Sequence, residues 1–206
     1  LAAIDWAMLE TALALGAAPV AGCELIQFRV RAVEPALPAG ITDLGLRTAP
    51  NFELLQMLRP DLILSSPWYA PMEPRLGRVA PVLSVPVYLP GEDPWVHALA
   101  ALPVLGQRLG MEAAAATASG QAVAALEVLA ARLAPRRDRP VYVIELGDAR
   151  HFRAFGADSL FGAVLSRLGL ANAWEGGSRY AFTAPVPLER LAERPEARIV
   201  IVSGVP

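Results

Sequence analysis

The feature that most constrains the fold of this sequence is a long helical run in the middle of the chain. Residues 112–133 read EAAAATASGQAVAALEVLAARL, with Gly120 as the one strong helix breaker. Alanine, leucine and glutamate favour helix, so the run predicts one helix from Glu112 to Leu133. A helix of this length is too long for a short crossover between neighbouring strands. We interpret residues 112–134 as a bridge between two lobes.

The chain before this helix alternates short helices with short apolar strands. Helices are predicted at 3–16, 50–58, 73–79 and 94–109, and strands at 19–22, 41–46, 62–64 and 81–88. Residues 28–40, which are rich in proline and glycine, are predicted to form a loop. Alternation with such short connections indicates a parallel sheet. We therefore expect residues 1–111 to form an N-terminal α/β lobe.

A second α/β block follows the long helix, from residue 138 to residue 206. Strands are predicted at 141–146, 151–156 and 197–204, with an amphipathic helix at 159–169. So few elements would leave a sheet edge and helix faces unburied. The expected fold is therefore α/β, with two Rossmann-like lobes joined by one long helix and a C-terminal lobe (138–206) that is incomplete in this chain.

Composition excludes several classes of function. The chain of 206 residues is 54% hydrophobic and 18% charged, with a net charge of -2, and its basic residues are scattered. A nucleic-acid partner is therefore not expected. All 18 basic residues are arginine. Without lysine, a phosphate-binding P-loop, a Schiff-base enzyme and a protein kinase are excluded.

Metal-binding and membrane-spanning patterns are also poorly represented. The chain has one cysteine, Cys23, and two histidines, His97 and His151, without a CxxC or HExxH motif. We expect no metal site made of protein side chains. No stretch reaches the roughly 18 to 20 uninterrupted apolar residues of a membrane span. The first residues lack the basic region and cleavage site of a signal peptide, so we expect either a mature form or a protein without a leader.

An enzyme is the less favoured reading of the sequence. There is no GxGxxG after a strand, no GxSxG elbow and no cysteine–histidine pair at plausible spacing. Asp5, Asp148 and Asp158 are acids that an α/β enzyme would have available, but no second catalytic group is paired with any of them. We expect a protein that is not an enzyme.

The first positive signal is the position of Arg47 and of the segment SSPWYAP (65–71). Both follow predicted strands directly, and ligands of parallel sheets bind beyond the carboxyl ends of the strands. Large aromatic residues lie in loops at Trp68, Tyr69 and Trp174, where they would expose apolar surface unless something covers them. These residues predict a ligand site.

Four segments of the sequence resemble those of a known family. DLGLRTAPNFELLQMLRPDLIL, then SSPWYAP, then AFGADSLFGAVLSRLGLANAWEGGS and a later PLERLA are similar to the periplasmic binding proteins that deliver ferric hydroxamate siderophores, such as ferrichrome, to ABC importers. The resemblance runs through nearly the whole chain. It implies two α/β lobes joined by a long helix, with the ligand held in a cleft between them.

The resemblance also implies roles for individual residues. The arginine of GLRT, here Arg47, is expected to reach the iron-bound hydroxamate oxygens, and Tyr69 to donate a hydrogen bond to the same centre. Trp174 is expected to pack on the siderophore, with Asn172 beside it. The siderophore fills the coordination sphere of iron by itself, so no cofactor is expected. One arginine suits a neutral ligand, which favours hydroxamate over catecholate.

Some residues depart from the family pattern and leave the particular siderophore open. Ser65 and Arg31 stand where some members carry further aromatic residues, Trp68 is an added tryptophan, and Phe28 and Phe182 are candidates to compensate. We include Ser65, Arg31, Trp68 and Phe182 among the expected ligand contacts. Binding of cobalamin, haem or a catecholate siderophore remains the alternative.

The last expectation concerns partners and location. In the family, one carboxylate on each lobe docks onto the membrane permease, and Glu73 and Glu189 are the candidates here. Each also suits the start of a helix, where the dipole favours an acid, and the two roles are compatible. We expect a monomer in the periplasm, or a protein lipid-anchored at the surface of a Gram-positive cell.

Overall fold

The computed structural model describes residues 1–32, 34–178 and 183–203. The chain separates into two compact units. The first contains Leu1–Val87 and Ala98–Ser119, and the second contains Tyr88–His97 and Gly120–Pro206. We describe each unit by itself.

The first unit is built on a parallel sheet of five short strands in the order β3-β2-β1-β6-β7. Its strands are β1 (Ala2–Ala3), β2 (Ala21–Gly22), β3 (Thr42–Asp43), β6 (Ile63–Ser65) and β7 (Val82–Ser84). All neighbouring pairs run parallel. A small separate hairpin is formed by β4 (Gly45–Leu46) and β5 (Ala49–Pro50). The predicted parallel sheet is confirmed.

Buried apolar residues cover both faces of this sheet. Ala3 and Leu64 pack into a cluster with residues of the first helix, such as Leu9, whereas Ala2 and Ile63 pack into a second cluster on the other side. Successive strand residues point to opposite faces, so a strand buried on both faces must be continuously apolar. The run from Leu62 to Leu64 has this pattern because helices flank both faces.

Four helices accompany the sheet: α1 (Trp6–Ala14), α2 (Leu25–Arg31), α3 (Phe52–Leu58) and α4 (Glu73–Leu76). The predicted loop at 28–40 is wrong over its first residues, because α2 extends to Arg31. Leu25 and Phe28 are three residues apart, lie on one face and are buried, and this packing stabilises the helix. The helix predicted to begin at Pro50 begins after Asn51, whose side chain accepts the Leu54 N–H.

Two longer helices follow, α5 (Pro94–Leu109) and α6 (Glu112–Leu133), with the bounds that the sequence predicted. The division between the two units falls within each of them. Contrary to expectation, the helical stretch Glu112–Arg136 is long and apolar enough to cross a membrane by length and composition alone, with a mean hydropathy of 1.3. One such helix is weak evidence for a membrane span.

Residues 88–97 belong to the second unit, although the sequence analysis placed them in the N-terminal lobe. An ion pair of 2.6 Å joins Arg167 Nη2 to Asp93 Oδ2, and the same guanidinium lies over the ring of Trp95. These contacts attach the start of α5 to the rest of the second unit. They join residues far apart in the sequence, so the periodicity of the chain does not predict them.

The second unit has a four-stranded mixed sheet in the order β10-β9-β8-β11. Its elements are β8 (Val141–Leu146), β9 (His151–Ala154), α7 (Leu160–Arg167), β10 (Val186–Pro187) and β11 (Arg198–Ile201). β11 pairs parallel with β8, and β9 pairs antiparallel with both β8 and β10. Helix α7 begins at Ser159, whose hydroxyl accepts the Gly162 N–H. The predicted strands and helix are confirmed.

Candidate functional site

The candidate site of the first unit lies at the carboxyl ends of its parallel strands. Trp6 follows β1, Glu24 follows β2, Arg47 follows β3, and the segment 66–69 follows β6. In the sheet these four strands are neighbours, in the order β3-β2-β1-β6. Because parallel strands end at the same edge, side chains from distant parts of the sequence meet there.

Arg47 owes its position to the small β4–β5 hairpin. Leu46 pairs with Ala49, so Arg47 and Thr48 form the turn at its tip. Gly45 has a φ of +81°, a conformation that favours glycine, and lets the chain turn from β3 into the hairpin. The hairpin thus projects Arg47 from the edge of the sheet.

Two neighbouring side chains hold the guanidinium of Arg47. Its Nε donates to Glu24 Oε2 at 2.9 Å, and its backbone N–H donates to Glu24 Oε1 at 3.0 Å. Its Cζ lies 4.2 Å from the centre of the Trp6 ring, a cation–π arrangement. The indole Nε1 of Trp6 donates in turn to the carbonyl oxygen of Cys23. Contacts within the protein therefore orient the Arg47 side chain.

Glu24 adopts a left-handed backbone conformation, with φ 52° and ψ 42°. For a residue with a Cβ this conformation costs about 1 to 2 kcal/mol. The Glu24 N–H donates to Gly45 O at 2.8 Å, and the carboxylate binds Arg47, so contacts to the hairpin hold the conformation. Strain of this kind is common at binding sites, where it places a side chain.

Tyr69 lies on the 3₁₀ helix Pro67–Met72 and is half-buried. Burial raises the pKa of its phenol above the ordinary value, and the negative charges of Asp5 and Glu24 raise that pKa further, while Arg47 acts in the opposite direction. The phenol therefore stays protonated at neutral pH and can donate a hydrogen bond. The positive charge of Arg47 acts on the pKa of Tyr69, which indicates that the two side chains belong to the same part of the unit.

The other expected contacts of the first unit differ in accessibility. Trp68 is 64% exposed and can reach a ligand. Ser65 is fully buried, and its hydroxyl donates to the Ser66 carbonyl oxygen, so its side chain presents no surface to solvent. Arg31 is exposed at the last residue of α2. Of these residues, Trp68 is the one whose apolar surface is presented to solvent.

In the second unit, Asn172 and Trp174 form a well-defined turn after α7. Asn172 donates through Nδ2 to Phe155 O at 2.9 Å and accepts the Trp174 N–H through Oδ1. The Trp174 ring packs edge-to-face on Phe152, with their centroids 6.1 Å apart. Its indole Nε1 is buried and donates to no group in the described part of the chain. Asn172 therefore orients Trp174, while most of the tryptophan belongs to the core of this unit.

The remaining expected residues lie elsewhere. Phe182 is outside the described residues, and nothing is assigned to it here. Glu73 is the first residue of α4, and Glu189 is exposed in the first turn of the 3₁₀ helix Leu188–Glu193. Both carboxylates lie in the first turn of their helix.

Sequence reasoning missed Trp6 and Glu24 as site residues. Trp6 falls within the first predicted helix (3–16), and neither residue receives a functional role from the sequence. The signal that would have found them is their position, since each follows a parallel strand by a few residues, as Arg47 does. The ion pair between Glu24 and Arg47 joins residues 23 positions apart, and the local periodicity of the sequence does not predict it.

Neither a metal-binding cluster nor the apolar groove of the second unit adds residues to this site within the described part of the chain. Within residues 1–32, 34–178 and 183–203, no group of three or more His, Cys, Asp or Glu side chains is arranged to hold a metal ion. An apolar groove of about 450 Å³ lies in the second unit between α7, β8 and β11, and none of the expected site residues within the described ranges lines it.

Comparison with known proteins supports the resemblance. Residues 1–205 match the family described as periplasmic binding protein. The chain belongs to this periplasmic binding protein family. It is 34% identical over 190 residues to the iron(3+)-hydroxamate-binding protein FhuD of Escherichia coli (strain K12), an alignment that covers 92% of this chain and 64% of that protein. The chain thus spans somewhat less than two thirds of this relative.

Solved structures confirm the expected fold. The Fe3+-Desferal-bound siderophore-binding protein FhuD from Vibrio cholerae superimposes with a TM-score of 0.89 at 26% identity, covering 97% of this chain and 76% of that one. The catecholate-siderophore binding protein VctP from the same organism reaches a TM-score of 0.71 at 17% identity, covering 97% and 71%. The second likeness shows the fold alone. The relatives are named as binding proteins, and the family is one of the periplasm.

Proposed function

We propose that this protein is the substrate-binding component of an ABC importer and binds a ferric hydroxamate siderophore. The observation that carries the proposal is the orientation of Arg47, which is bonded to Glu24 and stacked on Trp6 at the carboxyl edge of a parallel sheet. The identity of 34% with a ferric hydroxamate-binding protein supports this ligand class. The alternatives are cobalamin, haem and catecholate siderophores.

The chemistry of the ligand fits the groups at this edge. A hydroxamate oxygen bound to Fe(III) keeps partial negative charge, and a guanidinium offers several N–H donors without acting as a metal ligand. The protonated phenol of Tyr69 is a further donor. The exposed ring of Trp68 provides apolar surface for the organic part of the siderophore. The siderophore supplies the iron ligands, so the protein binds its substrate without chemistry and without a cofactor.

The proposal is tested by adding ferrichrome and ferrioxamine B to the full-length protein and following tryptophan fluorescence. Trp6 and Trp68 lie at the proposed site, so we expect quenching that saturates. Arg47→Ala should weaken binding at least tenfold, since it removes charge-assisted hydrogen bonds. Arg78→Ala, which removes an exposed arginine after α4, is the matched control and should bind like the wild type. Absence of saturable quenching by any ferric hydroxamate would contradict the proposal.

We further propose that Glu73 and Glu189 dock the protein onto its membrane permease and that the protein is delivered there as a monomer. Glu189 is exposed, and both carboxylates start a helix on the surface of their unit. In a reconstituted importer, Glu73→Gln and Glu189→Gln should lower transport and leave siderophore affinity unchanged. A loss of siderophore affinity would place these residues in the binding site instead.

A further inference from the structure

We propose that Glu24 positions Arg47 and sets the charge of this site, so that the protein selects neutral or cationic ferric hydroxamates over anionic ones. The inference rests on the proposed function and names the charge class of its ligand. It follows from the two hydrogen bonds between Glu24 and Arg47, which the sequence pattern does not predict.

The first step is the geometry of the pair. The two carboxylate oxygens of Glu24 accept separate hydrogen bonds from Arg47, one from the backbone N–H and one from Nε. The guanidinium can then neither turn about its last side-chain bonds nor move off the Trp6 ring without breaking a bond. Because Nε–H is used by Glu24, the donors left for a ligand are those on the two terminal nitrogens. Glu24 thus fixes which edge of the guanidinium faces a ligand.

The second step is the charge at this edge of the sheet. Asp5, Glu24 and Asp43 are the carboxylates whose fields act on the buried Cys23 or on Tyr69, and Arg47 is the cation that acts on both. Asp5 accepts the Met8 N–H and Asp43 accepts the N–H groups of Leu25 and Gly45. Three carboxylates and Arg47 therefore act on the same part of this edge.

The third step is the consequence for a ligand. An arginine paired with a carboxylate still donates hydrogen bonds, but the field that it offers an incoming anion is largely cancelled. A neutral ferric hydroxamate can accept hydrogen bonds from the N–H groups of Arg47 without requiring a net positive field. A ligand with a free ammonium is attracted by the surrounding carboxylates. An anionic complex is repelled by them. The site therefore discriminates by net charge while it recognises the iron centre by hydrogen bonds.

The experiment uses three ligands with the same iron centre and different charge. Ferrioxamine B carries a free ammonium and a charge of about +1, its N-acetyl derivative is neutral, and its N-succinyl derivative is anionic at neutral pH. For the wild-type protein at low ionic strength, we expect affinity to fall in that order. The cationic and anionic ligands should differ by about tenfold or more, the size of a charge interaction near a protein surface.

Two variants separate the two roles of Glu24. Glu24→Gln keeps the size of the side chain and removes its charge, so the ratio of cationic to anionic affinity should fall about tenfold. Glu24→Asp keeps the charge and shortens the reach to Arg47. It should retain the charge order while lowering affinity for the neutral ligand several-fold. Glu53→Gln, which removes an exposed carboxylate of α3 in the same unit, is the control and should change neither quantity.

The outcomes distinguish this inference from the proposed function. If the wild type binds all three ligands equally, or if Glu24→Gln leaves their ratio unchanged while the protein stays folded by circular dichroism, the inference is overturned and the siderophore-binding proposal stands. If the wild type binds none of the three, and ferrichrome does not bind either, the proposed function itself fails.

Discussion

Ser66 Oγ donates a hydrogen bond of 3.0 Å to Asp5 Oδ2, across 61 residues of sequence. The other oxygen of Asp5 caps α1 by accepting the Met8 N–H. One buried carboxylate therefore joins the start of α1, where Trp6 lies, to the end of β6, where the segment with Tyr69 begins. This contact therefore joins Trp6, whose ring centre lies 4.2 Å from Arg47 Cζ, to the segment that carries Tyr69.

Replacement of Asp5 by alanine should destabilise the protein. It removes the cap of α1 and leaves the buried Ser66 hydroxyl without its acceptor, which together cost about 2 kcal/mol or more. The free energy of unfolding in urea measures the loss. Asp61→Ala, which removes an exposed carboxylate of the same unit, should cost less than about 0.5 kcal/mol. Equal effects of the two substitutions would show that the Asp5 contacts are not stabilising.

The stability of the first unit should depend on pH through Glu10. Burial on α1, with a smaller contribution from the charge of Asp5, raises the pKa of Glu10 from 4.5 to about 7. A raised pKa means that the folded state binds the extra proton, so its stabilising contribution is full below pH 4.5 and is lost as the pH rises through 7. Glu10→Gln removes this dependence and should stabilise the protein at pH 8 by roughly 3 kcal/mol relative to the wild type, since one pKa unit corresponds to about 1.4 kcal/mol. Urea unfolding at a series of pH values checks both statements, and parallel curves for the two proteins would contradict them.

Two glycine substitutions should act in opposite directions. A Cβ at Gly162 on α7 would overlap the carbonyl oxygen of Gly156 and lie 2.7 Å from the Cα of Ala157, and these backbone atoms do not yield easily. Gly162→Ala should cost about 2 to 3 kcal/mol. A Cβ at Gly120 would meet no atom within 4 Å, and Gly120 lies in the middle of α6. Gly120→Ala should therefore stabilise the protein by about 0.5 to 1 kcal/mol. Melting temperatures that move in the same direction for both variants would show that the local geometry is not as described.

Lysine should not replace arginine at position 47. The ammonium of lysine is not planar, so it does not reproduce both the flat stacking on Trp6 and the Nε–H bond to Glu24. Arg47→Lys should lower affinity for ferrichrome about tenfold or more, while the free energy of unfolding changes by less than about 1 kcal/mol. Titration by fluorescence and urea unfolding of the same samples separate the two effects. Ferrichrome affinity equal to that of the wild type would mean that charge alone is sufficient.

The success of sequence reasoning differed between elements for physical reasons. The bounds of α5 and α6 were predicted correctly because propensity and capping are local properties. The prediction failed at α2, where prolines just beyond the helix suggested a loop but burial of Leu25 and Phe28 stabilises a helix. Local pattern also does not predict that residues 88–97 group with the second unit, where the Asp93–Arg167 ion pair spans 74 residues.

The sequence by itself determined the parallel α/β class, the long helices and the family, and it indicated Arg47 as the candidate ligand-binding residue. Each of these depends on a local pattern or on a contiguous motif. The tertiary structure decided that Glu24 and Trp6 hold Arg47. These three residues follow different strands and meet because β1, β2 and β3 lie side by side in the sheet. Strand order is set by long-range pairing and burial, and those interactions have no periodicity in the chain from which they can be read.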